Sequence, residues 1–314
     1  MITVERLQTH PPPDPTERVQ LKITGNIFEI RRTQKEFQAP ILKISKDEYI
    51  NLNERTGEVK TFQHKQNRAQ SPYNIAQSMA RLRDLINANL THPRRCRWVT
   101  LTYRENMQDT KRLYDDFRTF NMRLKRRLAK EGLPGYEYIV AMEPQGRGAW
   151  HSHCVFIFEG KKAPFLPSGL IEEVWGKGFA RVRAIDNVDN VGLYLSAYLG
   201  DMEVTEAYKN GLANAGPVMD VKNGEGEERK AVVKGARLAL YPPGFHLFRH
   251  SRGIKHPKII DCTEQEAMEI IGDAKLTFEK TIQLTDEQGR QVNVINYRHF
   301  NKNRLREHPP NGKT

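Results

Sequence analysis

Glu143, His151 and His153 have the residue types and the spacing needed to converge on one metal ion. His151 and His153 are two apart within Trp150–Phe158, a run that reads as a β-strand, so both imidazoles leave the same face. Tyr136–Glu143 reads as the partner strand, with Gln145-Gly-Arg-Gly148 as the turn between them. A hairpin centred on Arg147 sets Glu143 directly opposite His151. Opposed residues have Cβ atoms about 4.5–5.5 Å apart, close enough to share a cation. Two imidazoles and one carboxylate leave coordination positions open for water or a phosphate oxygen. That suits a Lewis-acid Mg²⁺ or Mn²⁺, although the same ligand set also describes catalytic zinc. A bare His-x-His pair is more often two ordinary histidines; the aligned Glu143 makes this one a candidate centre.

A second pair is Tyr194 and Tyr198, within a predicted helix over Val188–Leu199. At i and i+4 the two phenols share a helix face, with Cβ atoms about 5–6 Å apart. The commoner fate of such a pair is packing on a sheet. Its chemical use is nucleophilic: a phenol can attack a phosphodiester and hold the cut strand as an ester, provided a nearby cation assists. A second phenol one turn away can attack next without release of the strand.

The charge pattern suits an acidic polymer. The formal net charge is +12, and residues 91–130 carry twelve Lys and Arg against four Asp and Glu. Arg123, Arg126 and Arg127 lie in this segment, and a second basic stretch runs Arg249-His-Ser-Arg-Gly-Ile-Lys-His-Pro-Lys258, with Arg252 and Lys255 inside it. Clustered cations displace counterions from a phosphate backbone and give salt-sensitive affinity. One basic helix by itself is more often a solvated face.

The elements that must position these groups are legible. Trp98–Tyr103 is a strand of β-branched and aromatic residues. Asp109–Lys130 places Leu113, Phe117, Phe120, Leu124 and Leu128 at helical spacing. A short helix near Ser168–Val174 and a strand at Phe179–Ala184 follow. Upstream, Leu21–Ile30 and Ile41–Ile44 read as strands, Tyr49–Leu52 and Val59–Phe62 as a hairpin, and Ser71-Pro72 opens a helix running to about Leu90. Downstream come a helix near Thr263–Ile271 and a hairpin across Asp286–Gly289. The expected fold is α+β, a central and mainly antiparallel sheet with flanking helices, elaborated by terminal hairpin and helix segments. The expected division is an N-terminal part over 1–90, a core over 91–205, and a C-terminal extension over 206–314 with a polar, mobile insertion at 220–230.

In this order the motifs resemble those of the HUH endonucleases, specifically the two-tyrosine rolling-circle replication initiators of phages and mobile elements. Trp98-Val-Thr-Leu-Thr102 resembles the first motif, Glu143-Pro-Gln-Gly-Arg-Gly-Ala-Trp-His151-Ser-His153 the second, and Tyr194-Leu-Ser-Ala-Tyr198 the nucleophile motif. Arg252-Gly-Ile-Lys-His-Pro257 is similar to a downstream segment of phage-type initiators. The resemblance implies an HUH palm. It also implies Glu143, His151 and His153 as Mg²⁺ or Mn²⁺ ligands and Tyr194 and Tyr198 as nucleophiles. The implied activity is nicking and joining of a single-stranded DNA origin through a 5′-phosphotyrosine, leaving a 3′-hydroxyl for a host polymerase. Ser152 stands where a bulky apolar residue is usual, and Leu195-Ser-Ala197 supplies no cation beside the tyrosines. No Gly-x-x-x-x-Gly-Lys-Ser/Thr occurs, so unwinding is expected of a host helicase. The competing readings are a non-catalytic DNA- or RNA-binding module, a relaxase or transposase of the same superfamily, and a His₂Glu hydrolase acting on another substrate.

Composition narrows the classes. With 28% charged and 38% hydrophobic residues over 314 positions, the chain is expected to be an ordinary globular protein. The longest apolar run, Cys154–Phe158, is far short of the roughly 20 residues of a membrane span. The first residues lack signal-peptide character, and three scattered cysteines form no CxxC pair. The expected location is the cytoplasm of a bacterial host, with no membrane partner.

Overall fold

The computed structural model describes residues 3–34, 41–43, 48–53, 58–63, 72–185, 199–222 and 229–305. In chain order the strands are β1 (Thr3–Leu7), β2 (Arg18–Thr24), β3 (Ile27–Thr33), β4 (Ile41–Lys43), β5 (Glu48–Asn53), β6 (Glu58–Gln63), β7 (Cys96–Thr102), β8 (Tyr136–Pro144), β9 (Trp150–Phe158) and β10 (Ala180–Ala184). They continue with β11 (Met202–Glu203), β12 (Val218–Lys222), β13 (Arg229–Val233), β14 (Phe248–His250), β15 (Lys258–Thr263), β16 (Ala274–Thr285) and β17 (Gln291–Leu305). The helices are α1 (Pro72–Asn89), α2 (Thr110–Lys130), α3 (Ser168–Trp175), α4 (Val204–Lys209) and α5 (Glu264–Ile271). The fold is α+β with antiparallel sheets. The chain separates into two compact units, Lys65–Lys255 and the combined segments Met1–His64 and His256–Thr314.

The unit Lys65–Lys255 is built on a five-stranded antiparallel sheet in the order β10-β7-β9-β8-β14. Successive side chains part to opposite faces, so each strand feeds two cores. Val99, Leu101, Val140, Met142, Cys154 and Phe156 form one face, and α2 covers it with Leu113, Phe117, Phe120, Leu124 and Leu128. Burying each such side chain contributes roughly 1.5–3 kcal/mol, enough to hold a helix whose other faces are charged. Asp109 caps α2, accepting hydrogen bonds from the backbone N–H groups of Lys111 (2.8 Å) and Arg112 (3.1 Å). The opposite face carries Cys96, Ile139, Ala141 and Val155, packed with Leu82, Leu85 and Ile86 of α1. A small sheet, β11-β13-β12, completes the unit, so both flanks of the polar 220–230 stretch are strand.

The other unit is a six-stranded antiparallel sheet, β1-β16-β17-β3-β2-β15, joining strands from both ends of the chain. Helix α5 adds Ala267 and Ile271 to a core of Val19, Leu21, Phe28, Ile30, Cys262 and Phe300. It starts with a capping box between Thr263 and Glu266. The stretch Leu21–Ile30, expected as one strand, is two strands joined at Gly25-Asn26. Gly25 has φ +64°, which lets the chain reverse in two residues. A separate three-stranded sheet, β4-β5-β6, contains the expected hairpin. The predicted helix at Val188–Leu199 lies outside the described residues except for Leu199.

Candidate metal centre

Glu143 and His151 are directly opposed in the β8–β9 ladder, and His153 pairs with Ala141 on β8 and Thr100 on β7. The turn closes with Gln145 N–H donating to the Ala149 carbonyl (2.8 Å) and Gly148 N–H to the Gln145 carbonyl (2.7 Å). Gly148 takes φ +88°, a conformation that a side chain would strain. The register is therefore the one a turn centred on Arg147 demands. One ligand atom from each of Glu143, His151 and His153 lies within 4.8 Å of the other two. All three side chains leave the α1 face of the sheet, whereas Ser152 faces α2, its hydroxyl 3.2 Å from the Met142 sulfur.

The first strand motif orients one ligand. Thr100 Oγ1 lies 3.4 Å from His153 Nδ1, and the Trp98 indole N–H donates to Thr100 Oγ1 at 3.1 Å. The Trp98 ring meets the His153 ring edge-on at 5.9 Å between centroids. These contacts leave His153 Nε2 aimed at Glu143 Oε2, with which it is hydrogen-bonded. Partners of this kind fix the ring orientation of metal-ligating histidines.

Burial sets the protonation states. Desolvation pushes His151 down to about 4, against the opposing pull of Glu143, so its ring is neutral at physiological pH. Burial by itself would raise the Glu143 carboxyl. His153, Arg237 and His151 outweigh that and hold it below the usual carboxylate range. His151 Nε2 is buried with no hydrogen-bond partner. An orphaned, neutral imidazole nitrogen beside an ionised carboxylate is a poor use of a core and a good fit to a cation. The donor set and its convergence thus fit a divalent metal.

Two residues that sequence reasoning missed complete the site. Arg237, on a 3-10 helix over Ala236–Leu240, is 7% exposed and places Nη1 3.0 Å from Glu143 Oε1. The buried Tyr241 hydroxyl lies 2.9 Å from the Met142 carbonyl oxygen and 3.2 Å from that of Leu199. Met142 precedes Glu143 and Leu199 follows Tyr198, so one hydroxyl ties the end of the tyrosine segment to the strand bearing a ligand. No local pattern in the sequence marks either residue, because both act across long chain separations.

The predicted DNA-binding residues divide between the two sides of the sheet. Arg123 and Arg126 are exposed on α2, and Arg127 pairs with Glu131 and with Glu173 (3.3 Å). Helix α2 covers the face opposite Glu143, His151 and His153, so the structure does not bring these arginines to the triad. Arg252 and Lys255 are exposed on the segment after β14, and Ile254 between them packs in the α1-side core. Beside them a cleft of about 500 Å³ is lined by Arg81 of α1 and by His246, Leu247, Phe248, Arg249 and His250. The Arg249 guanidinium sits 3.5 Å from the Tyr114 ring centroid. Phe248 pairs with Ala141, two residues before Glu143, so the cleft borders the stretch of β8 leading to the triad. Tyr194 and Tyr198 lie outside the described residues.

A family model described as replication-associated protein ORF2 matches residues 96–203, about a third of the chain. The matched segment contains the strands that hold Glu143, His151 and His153, and the match supports a role in replication initiation. No curated protein and no solved structure matches the chain. Among the described residues no helix is long and apolar enough to cross a membrane.

Proposed function

We propose that this protein nicks and rejoins single-stranded DNA at an origin, initiating rolling-circle replication. The observation that carries the reading is the convergence of Glu143, His151 and His153 inside the segment that matches replication-associated proteins. These three side chains hold Mg²⁺ or Mn²⁺, which supplies Lewis-acid polarisation of a phosphoryl oxygen when bound. Tyr194 or Tyr198 is the nucleophile. Its phenol oxygen bonds to the scissile phosphorus as its proton passes to solvent. The bond from phosphorus to the 3′ oxygen breaks, and that oxygen takes up a proton and leaves as a 3′-hydroxyl. One phosphodiester is exchanged for another, so rejoining is the same step run backwards by a 3′-hydroxyl. The second tyrosine permits a further transfer before release.

The strand is held on the α1 side by Arg252 and Lys255 and by Arg81 in the adjoining cleft, all of which can take phosphate oxygens. Arg123, Arg126 and Arg127 contact DNA remote from the cut. The freed 3′-hydroxyl primes a host polymerase, and a host helicase unwinds. Incubating the protein with origin oligonucleotides tests the reading. It requires a covalent protein–DNA adduct that forms with Mn²⁺, fails with chelator, and fails in the double variant Tyr194→Phe, Tyr198→Phe. Tight, salt-sensitive binding without an adduct in any metal would instead support a non-catalytic binding module.

A further inference from the structure

Arg237 is a buried cation in contact with a candidate metal ligand. Its guanidinium has four partners: Nη1 reaches Glu143 Oε1 (3.0 Å) and the Pro144 carbonyl (2.9 Å), Nη2 reaches Glu206 Oε2 (3.2 Å), and Nε reaches the Asp201 carbonyl (3.0 Å). A fixed planar fork satisfied on three sides cannot swing away. Its anchors are themselves braced. Glu206 Oε1 accepts the backbone N–H of Gly146 (2.6 Å) in the β8–β9 turn, and Asp201 accepts the Lys234 ammonium (2.6 Å) and the Gly235 N–H (3.1 Å). The two oxygens of Glu143 consequently do different work. Oε1 is engaged by Arg237, while Oε2 faces His153.

We infer that Arg237 is a positioning residue for the metal centre: by engaging Oε1 it presents Glu143 Oε2 as the single carboxylate oxygen offered to a cation beside His151 and His153. The inference rests on the reading of Glu143 as a metal ligand. It assigns Arg237 the part that outer partners play at metal centres, setting the orientation of a ligand rather than touching the ion. One-oxygen coordination keeps more positions open for a phosphate oxygen than a carboxylate binding through both oxygens would. The guanidinium also offsets the carboxylate charge, leaving the centre more positive toward a phosphodiester.

The test is a double-mutant cycle read as Co²⁺ affinity, followed by the visible absorption of the bound ion. Co²⁺ binds imidazole more tightly than Mn²⁺ does, so the two-histidine background stays measurable. Arg237→Gln is expected to weaken Co²⁺ binding by about tenfold or more when Glu143 is present. In the Glu143→Gln background the same substitution is expected to change it by less than about twofold. Arg237→Lys keeps the charge without the fork, replaces Arg237→Gln if that variant fails to fold, and is expected to show the same pattern at smaller size. Equal weakening in both backgrounds would make Arg237 a merely structural brace and overturn the inference, as would no weakening in either. If Glu143→Gln alone leaves affinity intact, the ligand assignment itself falls, an outcome distinct from the first two.

Discussion

Glu143 stands directly across the β8–β9 ladder from His151, yet it hydrogen-bonds to His153, two residues further along the strand. The two histidines are therefore unequal without metal. His153 has partners in Glu143 and Thr100, while His151 Nε2 is buried with none. An unsatisfied buried polar group costs about 1–3 kcal/mol. In the presence of chelator, His151→Leu is expected to stabilise the protein by about 1 kcal/mol in urea unfolding, because it removes that cost. His153→Leu is expected to destabilise it by about 1–3 kcal/mol, since it strands Glu143 Oε2. Both are expected to lose metal binding. Destabilisation of similar size by both would show that His151 has a structural partner.

The placement of α2 makes the basic groups separable. Replacing Arg81, Arg252 and Lys255 by Gln is expected to weaken binding of a short single-stranded oligonucleotide. It should also flatten the salt dependence by about 0.7 in log–log slope for each phosphate no longer neutralised. Replacing Arg123, Arg126 and Arg127 by Gln is expected to leave that short ligand unaffected and to weaken only longer DNA. Fluorescence anisotropy across a salt series measures both. Loss of short-oligonucleotide affinity in the α2 variant alone would place the strand on the wrong side of the sheet for this mechanism.

All three cysteines are buried and free of disulfides. Burial pushes the Cys96 thiol up to about 12 and holds the Cys154 thiol well above its ordinary value, and Cys262 is also raised. Only the thiolate is nucleophilic, so a raised pKa lowers reactivity at any pH below it. Under native conditions at about pH 8, Ellman's reagent is expected to react slowly, and raising the pH to about 9 should bring little of the acceleration an ordinary thiol shows. Denaturation should then release all three thiols. Rapid modification of the folded protein would contradict this packing.

Much of the centre was legible because short-range periodicities decide it. A two-residue side-chain period and a short turn fix which of Glu143, His151 and His153 share a face, and the stripe from Leu113 to Leu128 fixes which side of α2 is buried. That stripe does not say which face of the sheet it covers, and here it covers the one opposite the triad. Arg237 stayed hidden because it meets Glu143 from 94 positions away, on a 3-10 turn with no apolar period. The pairing of β1 with β16 and β2 with β15 was hidden for the same reason: distant strands carry no local sign of their partners. Gly25-Asn26 is a turn signal inside an apolar run, and the run masked it.

The decisive measurement locates the DNA on the protein. After reaction with a single-stranded origin oligonucleotide and Mn²⁺, nuclease trimming and tryptic digestion leave the nucleotide on one peptide for mass spectrometry. The mechanism predicts the peptide Ala184–Lys209, with fragmentation placing the nucleotide on Tyr194 or Tyr198. Tyr208 in the same peptide is 77% exposed and serves as the internal control, because it should carry none. A nucleotide on Tyr208, on any residue outside that peptide, or cleaved DNA with no protein adduct would contradict the mechanism.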